Sequence, residues 1–335
     1  MKKIIFVLTV LLITGCDNSP TTSSDDSSCG CGASSNNTSW MFVANEGNFS
    51  DPSDDGVVSM IDDQGNVYES PVLGKIVQSI EVYNNKLIAS INASEKLAIL
   101  DISKTGLSNL VEVDLSGTPP REIAVVNGKA YVSCWGDSNW EVYPEVPGYV
   151  KVVDLESLEV ESSIIVGKMP EGLLYESNVL WVANSGGSTL SKIDVGSNSV
   201  LETIEVGEGP QSLEVYNEDV YVSRRWYEVY EVNELGEWLD YEELHGSSKI
   251  SGGSVVVKDY ASGIVCGGSV LKYNDVVYRS YSGGIYPLDS ELNLESAGRI
   301  GQYEKSPYHV EVMNDWLWFG IRGDVDSNYI EGNGS

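Results

Sequence analysis

Gln78-Ser79-Ile80-Glu81-Val82, the turn Asn84-Asn85, and Leu87-Ile88-Ala89-Ser90-Ile91 form a unit that decides the fold: two short apolar runs around a polar turn. The first run recurs as Arg121-Glu122-Ile123-Ala124-Val125, Glu171-Gly172-Leu173-Leu174-Tyr175, Gln211-Ser212-Leu213-Glu214-Val215 and Tyr308-His309-Val310-Glu311-Val312. The turn recurs as Asn127-Gly128, Ser177-Asn178, Asn217-Glu218 and Asn314-Asp315, and the second run as AYVSC, LWVAN, VYVSR and LWFGI. A weaker copy runs from Val270 through Tyr273-Asn274-Asp275 into Val276-Val277-Tyr278-Arg279. With Ile80, Ile123, Leu173, Leu213, Val270 and Val310 as one equivalent position, the spacings are 43, 50, 40, 57 and 40 residues.

A period of roughly 40 to 45 residues with four short strands per unit is the pattern of propeller blades. Third and fourth strands recur too, as Val150-Lys151-Val152-Val153-Asp154 followed by 160–166, and Leu190-Ser191-Lys192-Ile193-Asp194 followed by 200–206. Val, Ile, Tyr and Trp dominate and no helical periodicity persists, so the expected class is all-β. Met41-Phe42-Val43-Ala44-Asn45 with residues 57–62 supplies one further blade lacking its first strand. Such a blade suggests ring closure between the chain ends, which hides exposed strand edges. The count is seven four-stranded blades, with six or eight left open because residues 245–269 do not phase.

The second strands Tyr131-Val132-Ser133 and Trp181-Val182-Ala183-Asn184 resemble those of the YVTN-type seven-bladed propeller family. The opening Phe42-Val43-Ala44-Asn45-Glu46-Gly47-Asn48-Phe49 resembles propeller lipoproteins of Bacteroidetes-like bacteria, a group that includes surface proteins capturing cobalamin for an outer-membrane transporter. The resemblance implies the fold over nearly the whole chain after residue 39. It does not carry over a ligand, because one propeller fold hosts many functions.

The chain begins MKKIIFVLTVLLITGC, two lysines and an apolar run ending at Gly15-Cys16. The run is shorter than the roughly 20 residues a bilayer requires, so residues 1–15 read as a removable signal peptide. Ile13-Thr14-Gly15-Cys16 resembles the bacterial lipobox, which implies that Cys16 is acylated and holds the protein to a membrane. Residues 16–39 are almost wholly Ser, Thr, Asp, Asn, Gly, Cys and Pro, too polar to offset their ordering entropy, and read as a disordered tether. The domain is then 40–335. The expected location is the cell envelope, at the outer rather than the inner membrane, with the leaflet open.

Five cysteines divide into Cys16, the tether pair Cys29 and Cys31, and the isolated Cys134 and Cys266. Cys134 and Cys266 lie in apolar runs and read as small hydrophobes; no framework disulfide is expected. Without Lys2 and Lys3, 18 basic residues face 50 acidic ones. Such a charge repels nucleic acid and anionic headgroups.

Loops leading into inner strands, and those joining second to third strands, emerge on one face of a propeller. The first set places Gln78, Arg121, Glu171, Gln211 and Tyr308 at one repeat position, and Ser79, Glu122, Gly172, Ser212 and His309 at the next. These should ring the channel mouth. The second set is most irregular at 45–55, 135–148 and 224–230, and two of its members carry aromatics: Trp135, Trp140 and Tyr143, then Trp226, Tyr227 and Tyr230. Aromatics exposed on loops either pack on a neighbouring loop or form a recognition platform. Arg121, Arg224 and Arg225 read as rare positive charges for an anionic group. His309 reads as a base, a ligand or a hydrogen-bonded junction residue. Glu122 and Glu171 with Asn184 and Asn45 resemble the calcium set of metal-dependent lactonase propellers, a rival reading, while no nucleophile elbow or zinc motif occurs. The expected function is non-enzymatic: a monomeric, lipid-anchored binding module without a cofactor. Its expected task is capture of a small nutrient, such as a corrinoid, for a transporter, with an envelope scaffold and a metal-dependent hydrolase as alternatives.

Overall fold

The computed structural model describes residues 40–47, 55–136, 146–233, 238–261, 268–302, 307–313 and 316–321. Seven antiparallel sheets follow one another along these residues, which fits seven blades. Blade 1 has three strands, β1 (Trp40–Gly47), β2 (Asp55–Asp62) and β3 (Val67–Glu69). Blade 2 is β4 (Val77–Tyr83), β5 (Lys86–Ile91), β6 (Lys96–Ser103) and β7 (Gly106–Asp114). Blade 3 is β8 (Pro120–Val126), β9 (Lys129–Cys134), β10 (Tyr149–Asp154) and β11 (Glu159–Ile165). Blade 4 is β12 (Pro170–Glu176), β13 (Val179–Asn184), β14 (Thr189–Asp194) and β15 (Ser199–Glu205). Blade 5 is β16 (Pro210–Tyr216), β17 (Asp219–Val232), β18 (Trp238–Ser251) and β19 (Ser254–Asp259). Blade 6 has β20 (Val270–Tyr273), β21 (Val276–Tyr281) and β22 (Gly284–Pro287), and blade 7 pairs β23 (Pro307–Met313) with β24 (Trp316–Ile321). No helix among the described residues is long and apolar enough to cross a membrane.

The turns between first and second strands use the residues their backbone demands. Asn84, Asn127, Ser177, Asn217 and Asn274 all sit at positive φ, where a short polar side chain costs least. Adjacent blades then bury their facing apolar residues together. Trp40, Phe42, Val58 and Met60 pack on Val77, Leu87, Ile91 and Leu100. Leu97, Ile99 and Val113 of blade 2 meet Ile123, Val132 and Cys134 of blade 3, and Tyr131, Val150 and Val152 meet Leu180, Val182 and Ile193 of blade 4. The blade 5–6 junction is more polar: Arg224, His245 and Arg279 are buried there.

One irregularity repeats. The register shifts just after the start of five of the six described inner strands, at Val77/Ser79, Pro120/Ile123, Pro170/Leu173, Pro210/Leu213 and Pro307/Val310, while β20 pairs without a shift. A bulge leaves residues without partners on the second strand and re-aims their side chains. The unpaired residues are those of the repeat position read from the sequence. Serines on the second strand compensate: Ser90, Ser133, Ser223 and Ser280 Oγ each accept a 3.0 Å bond from the N–H of Ser79, Glu122, Ser212 and Ser269, at or beside the start of the inner strand. The same hydroxyls reach the next blade, Ser90 Oγ donating to the Arg121 carbonyl at 2.6 Å and Ser133 Oγ to that of Glu171 at 2.7 Å. In blade 5 the link passes through Ser212, whose Oγ lies 2.8 Å from Ser223 Oγ and bonds the Gly268 carbonyl at 3.1 Å. Blade 4 has Ala183 at this position and no hydroxyl to offer.

The stretch 224–230, expected as a loop, is strand. β17 pairs with β18 from Val220↔Ile250 through Trp226↔Leu244 to Val232↔Trp238, so the two form a hairpin that outruns the blade. The reason is local. Trp226, Tyr227, Val229, Tyr230 and Val232 are strong strand formers with no Gly or Pro among them. The hairpin also accounts for the 57-residue spacing and the failure of 245–269 to phase.

Candidate functional site

The bulges bring Gln78, Arg121, Glu171 and Gln211 together around a cavity of about 430 Å³ at the channel mouth, as their shared repeat position predicts. Glu122, Gly172, Ser212, Glu214, Arg225, Ser269 and Lys272 complete a mainly polar wall. Tyr308 and His309 fall at the bulge of β23, and their side chains lie outside the described residues, as do Trp140 and Tyr143.

Arg121 is not the free cation expected. Its Nε donates to both Glu171 carboxylate oxygens at 3.0 Å, its Nη1 donates to Gln78 Oε1 at 2.7 Å, and its guanidinium carbon lies 4.7 Å from the Trp135 ring centroid. Three blades are thus clasped by one half-buried ion pair whose charge is spent internally. Trp135 is the stacking surface for that pair rather than an exposed platform.

Arg224 is corrected more strongly. It is 1% exposed, bonds the carbonyls of Glu208 and Lys258, and forms an ion pair with Asp259. The space it fills exists because Gly207 and Gly246 lack side chains: a methyl at either would collide with the guanidinium. Arg224 occupies the repeat position of Asn184 in blade 4 and, like it, braces its own blade. Asn184 accepts from Gly167 N and donates to Thr189 and Ser191. Arg225 lines the cavity with Glu243 Oε1 at 3.9 Å from its Nε. The suggested calcium set is not assembled either: Asn184 is buried in its blade, Asn45 Nδ2 donates to Val43 O, Val57 O and Ser59 Oγ, and Glu171 holds Arg121. Among the described residues no three His, Cys, Asp or Glu side chains converge as a metal site.

Trp226 and Tyr227 stand where the hairpin leaves the blade. With Glu228 they form one side of a second cavity, about 250 Å³, whose other walls are Ser185, Gly186 and Glu208. The hairpin base is fixed to the blade 4–5 connection by Arg225 N donating to Gly209 O at 2.7 Å and Gly209 N to Gly187 O at 2.8 Å. Beyond it Tyr230, Val232, Leu239 and Tyr241 are each more than half exposed. Tyr230 Oη donates to Glu242, which pushes the phenol up to about 12.

Two features went unread in the sequence. One is the serine on each second strand, visible as the fourth letter of LIASI, AYVSC and VYVSR. The other is His245, 2% exposed, its Nε2 3.3 Å from Glu243 Oε1 and its ring edge-on to Tyr281. Cys134 behaves as expected: it is free and buried, and burial drives its thiol up to about 12. Cys16, Cys29, Cys31 and Cys266 lie outside the described residues.

No protein-family model matches the chain, and no curated protein does. Solved structures do. The Dos1 propeller aligns at a TM-score of 0.60 and 10% identity, over 84% of this chain and 72% of that one. BamB from Moraxella catarrhalis aligns at 0.52 and 11%, over 84% and 78%, and the Pan2 WD40 domain from Neurospora crassa at 0.52 and 9%, over 83% and 80%. At such identities the likeness is one of fold alone, and the fold is a β-propeller.

Proposed function

We propose that this propeller is a lipid-anchored capture module that binds a small polar ligand at the channel mouth and presents it to a membrane transporter. The observation that carries the reading is the 430 Å³ cavity, within the usual size range of ligand sites and built by a bulge repeated in successive blades. Gln78, Gln211, Ser212 and Ser269 offer neutral donors and acceptors, and Glu122, Glu214, Arg225 and Lys272 offer both signs of charge. This wall suits a zwitterion or polyol. A corrinoid is wider than the cavity and would have to rest on its rim. The exposed Tyr230, Val232, Leu239 and Tyr241 of the hairpin favour the second reading, an envelope scaffold.

A thermal-shift screen of the purified chain against sugars, amino acids, corrinoids, haem and divalent metals tests the capture reading. A saturable rise in Tm is expected for one class, reduced in Gln211→Ala. No response across the panel, together with retained partner pull-down that depends on the hairpin, would favour the scaffold. Anchoring has its own check. Cys16→Ser is expected to move the protein from the membrane to the soluble fraction, since several acyl chains at about 0.8 kcal/mol per methylene are what would hold it. Retention of Cys16→Ser in membranes overturns the anchor.

A further inference from the structure

We infer that the groove between blade 4 and the blade 5 hairpin is a binding site for an organic cation, recognised through an alkylammonium group. The inference rests on the reading of this face as ligand-binding and gives the ligand's charge at a place separate from the channel mouth.

The walls are Trp226 and Tyr227, the carboxylates Glu208 and Glu228, and the small residues Ser185 and Gly186. Aromatic rings attract cations through their negative faces, and adjacent carboxylates supply the balancing charge. Among the described residues no basic side chain lines the cavity. The nearest cations are Arg224, paired with Asp259 and with its guanidinium 5.0 Å from the Trp226 centroid, Arg225, directed toward Glu243 and 5.8 Å from the Tyr227 centroid, and Lys168, whose Cβ packs behind Gly186 and whose carbonyl accepts from Gly186 N at 3.1 Å. Glu208 and Glu228 are exposed, and they come from different elements, the blade 4–5 connection and the hairpin, so their meeting is a product of the fold.

The surrounding field has the same sign. Among the described residues from Trp226 to Leu244 the hairpin carries Glu228, Glu231, Asp240, Glu242 and Glu243, and no Lys or Arg. Such a field concentrates cations and repels anions, including anionic headgroups. The anionic ligand suggested by the arginine count is therefore replaced at this groove by its opposite.

Two sources can present this chemistry, a free small ammonium compound or the lysine side chain of a polypeptide. Titration calorimetry of the full-length chain with choline, n-butylammonium and Nα-acetyl-lysine amide tests both, with 3,3-dimethyl-1-butanol as the uncharged analogue of choline. Saturable binding of at least one ammonium probe is expected, with the alcohol about tenfold weaker or worse. Tightest binding by choline assigns a small ammonium compound; tightest binding by the lysine derivative assigns a polypeptide. Glu208→Gln/Glu228→Gln is expected to weaken binding by about tenfold, while Glu156→Gln/Glu159→Gln, the same change in charge on blade 3, leaves it unchanged. Trp226→Phe should retain more affinity than Trp226→Leu, an order that reports the ring's electrostatics and not its bulk. Equal binding of the alcohol, equal loss in the blade 3 variant, or absence of saturable binding by all three ammonium probes overturns the site. None of these substitutions touches the channel wall, and Gln211→Ala does not touch the groove, so each site can fail alone.

Discussion

Deleting residues 40–69 is expected to abolish the cooperative melting transition and leave the chain open to protease. Trp40, Phe42, Val58 and Met60 of blade 1 are buried against blade 2. Each such side chain contributes about 1.5–3 kcal/mol, so the four together approach the 5–15 kcal/mol by which a typical protein is stable. The deletion also bares the facing surface of Val77, Leu87, Ile91 and Leu100, which invites aggregation. Limited proteolysis and calorimetry of the truncated chain check this. A sharp transition within a few degrees of the parent would show that blade 2 onward folds without its neighbour.

Gly172→Ala is expected to have the largest effect of any single methyl at the site. Gly172 lines the channel cavity, and a β-carbon there would fall inside the van der Waals shell of the Gln211 carbonyl oxygen and crowd Ser212 Cα. Those atoms are backbone of β16 and cannot rotate away. The inner strands of blades 4 and 5 must separate, and overpacking of this kind costs about 1–3 kcal/mol or more. For a domain of this size each kcal/mol lowers Tm by roughly 2–4 °C. Ligand response should fall with it, since Gln211 moves. A Gly172→Ala protein with parental Tm and parental ligand response would show that the inner wall yields at this point.

How much of this was legible depends on the kind of signal. The inner-strand repeat was readable because its period survives divergence: Ile80, Ile123, Leu173 and Leu213 must all face the same kind of core, and so they fixed both the fold and the ring Gln78, Arg121, Glu171 and Gln211. Charge pairing was not readable. Arg121 and Glu171 are 50 residues apart and meet only because bulges in successive blades aim them at one axis. Arg224 looked like an exposed cation because two glycines that receive it, Gly207 and Gly246, lie 17 and 22 residues away. The hairpin was misread as a loop for a different reason. Its charged and aromatic alternation suits a two-sided exposed ribbon as well as an irregular segment, and only pairing with β18 separates the two.

The missing hydroxyl at Ala183 has a mechanical consequence. Around the inner wall, serine side chains tie blade 2 to blade 3 and blade 3 to blade 4, and Ser212 ties blade 5 to blade 6, but the seam between blades 4 and 5 is closed by contact at Gly172 without such a bolt. Of the four successive seams from blade 2 to blade 6, this is the one that lacks a tie and the first that should open. Both cavities border this seam, through Gln211 in one and Glu208 in the other. Amide hydrogen exchange in β12 and β16 should therefore be faster than in β8, and Ala183→Ser should slow it; equal protection on all three strands would show that this seam is no weaker than its neighbours.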